Sequence, residues 1–158
     1  MADANTTELA LRSFRRAHVG RLLAELHRDF SERVRELLAD AGHPGVMAGH
    51  IQVFTSLPLE GARLSSLAAR AGITAQSMGA RVSELESLGY LERTPDPADG
   101  RATRIRFSAK GRRFLASART AIETIDRHYA EKIGKARYEA VKSSLGLLVS
   151  ALAIEIPA

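Results

Sequence analysis

Apolar residues recur at three- and four-residue steps along most of the chain, and at two-residue steps in one short stretch. The first stripe runs through Leu11, Phe14, Val19, Leu22, Leu26, Phe30, Val34 and Leu37/Leu38. That period predicts one long amphipathic helix from Thr7 to roughly Asp40, with Thr6 or Thr7 as N-cap and Glu8 in the first turn. Gly42-His43-Pro44-Gly45 ends it, because proline disfavours helical geometry in the residue before it and both glycines permit a reversal. A shorter helix is expected over Val46 to Leu57, stopped by Pro58 and the turn Leu59-Glu60-Gly61.

Two short helices then follow with almost nothing between them. Leu64, Leu67 and Ala68 give Ser65–Ala71 its apolar face, and Gly72 stops it. Thr74 caps the next helix, which carries Met78, Val82, Leu85 and Leu88 inward and ends at Gly89 as a left-handed residue. Helix, short glycine turn, helix is the spacing of a helix-turn-helix. After Gly89 the period drops to two. Tyr90-Leu91-Glu92-Arg93-Thr94 and Thr103-Arg104-Ile105-Arg106-Phe107 read as half-buried strands, and residues 95–102 between them as a hairpin tip. Ser108 caps a further helix with Phe114, Ala118, Ile122, Ile125 and Tyr129 on one stripe. Gly134 interrupts it, and a last helix follows with Tyr138, Val141, Leu145, Leu148/Val149 and Leu152 on its apolar face. The expected fold class is mainly α with a small β-hairpin (α+β). A winged helix-turn-helix head spans residues 44–108, and residues 7–41 and 109–156 form a helical dimerisation region.

Composition narrows the function. Of 158 residues 45% are hydrophobic and 26% charged, which suits a soluble globular chain. There is no cysteine, so a disulfide framework, a thiolate metal site and a thiol redox sensor are excluded. The polar, acidic N-terminus does not read as a secretory signal, and Leu145–Ile154 is too short to span a bilayer, so the cytoplasm is expected. From Gly61 to Arg113 ten basic residues face five acidic ones, an excess equal to the net charge of +5 for the whole chain. The positive field is therefore concentrated on one third of the sequence, as binding a polyanion requires.

Candidate chemistry lies within that third. Thr74, Gln76, Ser77 and, one turn on, Arg81 would line the exposed face of the second helix of the motif. Gln can pair with adenine, Arg with guanine, and Ser or Thr with bases or phosphates. The helix N-terminus adds free N–H groups that favour phosphate. At the hairpin tip Arg101 follows Gly100 and suits a narrow minor groove, with Asp99 expected to hold its guanidinium in a bidentate pair. Arg63 and Ser65, at the start of the first helix of the motif, complete the expected DNA-binding set.

The sequence resembles the MarR family of bacterial transcription regulators. The resemblance runs through Arg63-Leu64-Ser65-Ser66-Leu67-Ala68, Ala71-Gly72-Ile73-Thr74 and Leu85-Glu86-Ser87-Leu88-Gly89-Tyr90-Leu91-Glu92-Arg93. It continues through Asp96-Pro97-Ala98-Asp99-Gly100-Arg101-Ala102 and Ser108-Ala109-Lys110-Gly111-Arg112, while the helical arms match by pattern. It implies a homodimer with two winged heads on a pseudo-palindromic double-stranded DNA operator. Such proteins are mostly repressors, and many are released by a small phenolic or lipophilic effector held between arms and head. One departure is Ala80, where many members carry a basic residue in mid-helix; Arg81 is its neighbour, about 100° round the helix. Gly79 is another oddity, costing about 1 kcal/mol against alanine.

The arms point to a dimer independently, since a stripe as long as Leu11–Leu38 is hard to bury against a small head alone. The other function classes fit less well. His18, His27, His43, His50 and His128 lack the spacing of a metal site, although His43 and His50 flank the second helix and would line a ligand pocket there. No phosphate-binding glycine loop, nucleophile elbow or paired acid and base is present, so neither an enzyme nor a cofactor is expected. The alternative is a winged-helix module for protein or RNA. RNA recognition favours exposed stacking aromatics, and here Phe and Tyr sit mostly on apolar stripes.

Overall fold

The computed structural model describes Glu8, Phe14 and residues 18–154. Its elements are α1 (Val19–Asp40), α2 (Ala48–Ser56), α3 (Leu64–Arg70), α4 (Ala75–Ser87), β1 (Leu91–Asp96), β2 (Asp99–Phe107), α5 (Ala109–Ile133) and α6 (Lys135–Ala151). The fold is thus mostly helical with one small antiparallel hairpin, the expected class.

The first helix departs from the expected single rod. His18 has extended geometry (φ −72°, ψ 147°), and its Nδ1 accepts the Arg21 N–H at 3.2 Å, so it caps a new helix in mid-stripe. The expected caps Thr6 and Thr7, and Leu11, lie outside the described residues. Only the second half of α1 is packed. Leu38 is buried and Val34 and Leu37 half-buried, while Leu22, Leu23 and Leu26 are exposed. Against α5, Arg33 grips the Asp29 carboxylate through Nε at 2.7 Å and Tyr129 donates its hydroxyl to the same carboxylate at 2.7 Å.

The head is built around one aromatic cluster. Phe54 of α2 stacks on Phe114 of α5 with centroids 4.1 Å apart, and Tyr90 meets both rings edge-on. Onto it α4 lowers Met78, Val82 and Leu85, all with no exposed surface. The loop after α2 returns to the hairpin. Ala62 N–H donates to Ile105 O at 3.0 Å and Ile105 N–H to Ala62 O at 2.8 Å, an isolated antiparallel bridge against β2.

Two expectations about the second half need correction. The strands run on beyond residues 94 and 103 to an Asp96–Asp99 pair, with an irregularity at Pro95/Asp96, so the tip shrinks to Pro97 and Ala98. Asp96 causes this by accepting the Ala98 N–H at 3.0 Å, a local turn bond that replaces ladder pairing. On α5 the buried set is Gly111, Phe114, Ala121 and Ile125, whereas Ile122 is 43% exposed. Phe114 and Ile125 of the expected stripe are therefore buried and Ala118 and Tyr129 half-buried, and Ile122 alone departs from it, with Ala121 buried beside it. Gly134 breaks the rod at φ +88°, and α6 buries no residue.

Candidate nucleic-acid interface

Local chemistry sets the first turn of α4. Thr74 is extended (φ −69°, ψ 150°), its Oγ1 accepts the Ser77 N–H at 3.1 Å, and its hydroxyl donates to Ser77 Oγ at 3.0 Å. Ala75, Gln76, Ser77 and Ala80 are exposed, and the Gln76 amide has no hydrogen-bond partner among the described residues. The inward face is fully occupied by Met78, Val82 and Leu85, so this polar edge is the outer one. Ser65 lies exposed on the first turn of α3.

Arg81 stands apart from this set. It is half-buried, and its guanidinium donates to Gln52 Oε1 while Gln52 Nε2 donates to Ala71 O at 2.8 Å. The chain Arg81–Gln52–Ala71 ties α4 to α2 and to the end of α3. Gly79, beside it, would bring an added Cβ to 3.6 Å from Leu64 Cδ2, an ordinary packing distance.

At the wing the expected Asp99–Arg101 guanidinium pair is not formed. Asp99 Oδ1 instead accepts the Arg101 backbone N–H at 3.2 Å, and its other oxygen lies 3.7 Å from Arg63 Nη2. Arg63 is also bound to Asp96, Nε to Oδ2 at 2.6 Å, and this buried carboxylate is held below its usual range first by that bond and then by the Ala98 N–H. Two residues apart, a carboxylate reaches the backbone N–H of the following turn more readily than the outward-pointing guanidinium. The result locks the wing base to the head. Arg101 itself is exposed and has no ion-pair partner among the described residues.

Sequence reasoning passed over Arg70, Arg104 and Ser66. They meet Arg63 and Glu60 in a cleft of about 240 Å³ between the turn after α2, α3 and β2. The signal was the alternation on β2, where Ile105 and Phe107 are buried and Arg104 and Arg106 take the other side. His43 and His50 are interior residues. His43 Nδ1 lies 3.1 Å from the Tyr90 hydroxyl, and His50 accepts the Met47 N–H at 3.1 Å with Nδ1 and meets Glu84 at 2.9 Å with Nε2. Among the described residues no group of three or more His, Cys, Asp or Glu could hold a metal ion, and no helix is long and apolar enough to cross a membrane.

Residues 60–102, which hold α3, α4, β1 and most of the wing, match the sequence model of the MarR family. No curated protein sequence is close enough to count as a relative. Among solved structures, a transcriptional regulator from Thermotoga maritima is 24% identical, with a TM-score of 0.61 over 85% of this chain and 93% of its own. CouR from Rhodococcus jostii RHA1, solved with p-coumaroyl-CoA, is 25% identical, with a TM-score of 0.59 over 80% of this chain and 88% of its own. The repressor CouR bound to a 23-mer DNA duplex gives 23% identity and a TM-score of 0.64 over 84% and 92%. Residues 60–102 thus match the MarR family by sequence, and over most of its length the chain shares the fold of solved winged-helix transcriptional regulators.

Proposed function

We propose that this protein is a homodimeric, sequence-specific repressor that binds a pseudo-palindromic operator in duplex DNA. The observation that carries the reading is the outer edge of α4. It offers Thr74, Gln76 and Ser77 at a capped helix N-terminus, beside a wing whose Arg101 is exposed and uncommitted. An edge of this kind suits the major groove, with Gln76 toward base edges and Thr74 and Ser77 toward bases or phosphate. Arg101 reaches the adjacent minor groove, and Asp99 shapes the tip through the Arg101 N–H. Ser65 and Arg63 approach the backbone from the start of α3, and Arg81 fixes the angle of α4 through Gln52. In this reading residues 44–108 are the DNA-binding head, and 7–41 with 109–156 the dimerisation region.

Release by an effector is part of the proposal. A groove of about 290 Å³ between α1 and α5 is lined by Leu37, Ala41 and small residues from Ala116 to Thr124, at the joint of arm and head. A lipophilic molecule wedged there would change the spacing of the two heads. The CouR structure solved with p-coumaroyl-CoA gives this reading its precedent in a similar fold.

The direct test is a mobility shift on the duplex upstream of the protein's own gene at several salt concentrations. Affinity should fall steeply as salt rises, since each neutralised phosphate releases a counterion. Binding no tighter than to scrambled duplex would end the operator reading.

A further inference from the structure

We propose that the cleft between the turn after α2, α3 and β2 is an oxyanion site, and that a backbone phosphate of bound DNA fills it. The second half of this statement rests on the DNA-binding reading above; the first does not. Three guanidiniums, Arg63, Arg70 and Arg104, share the cleft with one carboxylate, Glu60, and the Ser66 hydroxyl. They are not equivalent. Arg63 is spent on Asp96 at 2.6 Å and on Asp99 at 3.7 Å. Arg70 and Arg104 have no ion-pair partner among the described residues, and Glu60 pairs with neither.

Arg104 is the telling residue. Its Nε is enclosed by protein and has no hydrogen-bond partner, the one such buried side-chain nitrogen or oxygen among the described residues. A buried cationic donor left without an acceptor is costly, and such atoms in folded proteins call for an explanation. The fold forces the position. Ile105 and Phe107 are buried in the core, so Arg104 and Arg106 must take the other side of β2. There their stems lie against Gly61, where an added Cβ would stand 2.7 Å from Arg106 Cγ and 3.3 Å from Arg104 Cγ. Gly61, at φ +85°, lets the turn press onto β2, where Arg104 lines the cleft.

Two uncommitted guanidiniums and a hydroxyl offer donors from several directions, which suits the spread oxygens of a phosphate better than the two of a carboxylate. The cleft also adjoins the wing through the Arg63–Asp96 bond, so a strand that meets Arg101 passes near its mouth. The contact would position the duplex without reading its sequence.

Full-length wild type, Arg104→Gln, Arg70→Gln, Arg104→Lys and a control, Arg137→Gln on α6, separate the two halves. The first measurement is the heat-unfolding midpoint in inorganic phosphate against chloride at matched ionic strength. Phosphate stabilises proteins generally, so the cleft variants are read against Arg137→Gln, which loses one charge, keeps the cleft and should gain as much from phosphate as wild type. Arg104→Gln and Arg70→Gln should gain less than this control, and Arg104→Lys, which keeps the charge and loses the fork, should fall between. The second measurement is duplex affinity against salt. Arg104→Gln removes one contact from each head of the dimer, so it should lower the log–log slope by about 1.8 and leave the preference for upstream over scrambled duplex unchanged. Both cleft variants behaving as the control in both measurements overturns the proposal. A loss of phosphate stabilisation with an unaltered slope keeps the oxyanion site and removes DNA phosphate as its occupant. If wild type binds no duplex selectively, the operator reading fails by itself and the unfolding measurement alone decides the cleft.

Discussion

Two helical glycines carry opposite meanings. Gly111 stands in the first turn of α5, where its N–H caps onto Ser108 Oγ at 3.0 Å and an added Cβ would lie 2.1 Å from Tyr90 O. The close approach lets α5 seat on the start of β1, and it explains physically why glycine stands three residues after the capping serine. Gly111→Ala should cost roughly 1–3 kcal/mol, as overpacking of a filled site does. Gly79 has room for a methyl group, so Gly79→Ala should stabilise by up to about 1 kcal/mol through helix propensity. Urea unfolding of the two variants checks both signs, and a stabilising Gly111→Ala would contradict the packing argument. His43 supplies a pH dependence. Burial first, then the charges of Lys110 and Arg113, push its imidazole below the ordinary 6.5. The unfolded chain therefore takes up this proton first, so the stabilisation is complete above about pH 6.5 and is lost as pH falls below it. Unfolding midpoints from pH 7.5 to 5 should decline in wild type and decline less in His43→Gln. Asp29 and Asp96, both lowered below 3.8, act only in a more acid range.

At the scale of elements, α4 and the wing are joined to the head by different bonds, and this separates their roles. The wing base is fixed by Arg63–Asp96 and the Ala62–Ile105 pair, while α4 is fixed by its apolar face and by Arg81–Gln52. Their outer residues, Gln76 and Arg101, take no part in this fixing. Substituting either should leave stability within about 0.5 kcal/mol of wild type, as for surface positions generally. Arg101→Ala should weaken binding to every duplex and flatten its salt dependence. Gln76→Ala should cost roughly 1–3 kcal/mol on the preferred duplex and narrow its margin over scrambled DNA. Fluorescence anisotropy on both duplexes measures this, and equal, negligible losses would mean that DNA meets another face.

For the whole molecule the unresolved balance is apolar. Leu22 and Leu26 on α1 are 51% and 53% exposed, and Leu147, Leu148 and Leu152 near the chain's end 70%, 54% and 68%. In the proposed dimer these patches would be covered by a second copy of the same arms, the arrangement that closes symmetrically. The protein should sediment as a dimer at micromolar concentration, and the double variant Leu22→Glu/Leu26→Glu should shift it toward monomer with a matching loss of operator affinity. A dimer would set two α4 helices about 34 Å apart, one DNA turn. A wild-type monomer at high concentration would remove the basis for a palindromic operator.

Periodicity alone determined the helix-turn-helix, the strands after Gly89 and the restart at Ser108, because caps and repeating apolar steps are local signals. Thr74 and Ser108 cap as their residue types dictate, and Gly72, Gly89 and Gly134 turn with positive φ. The outer edge of α4 was legible for the same reason, since one face of a helix follows once the other is known to be buried. What only the tertiary structure decided were the partners of long polar side chains. Arg81 turned to Gln52, Asp99 to a backbone N–H and Arg63 to Asp96, while Arg104 was left beside an open cleft. A guanidinium on a flexible stem reaches several acceptors, and its choice depends on which carboxylates and amides the fold brings near, residues up to thirty-three positions away in the case of Arg63 and Asp96. The break at His18 belongs with these, because an apolar stripe runs unaltered through a residue whose backbone has left the helix.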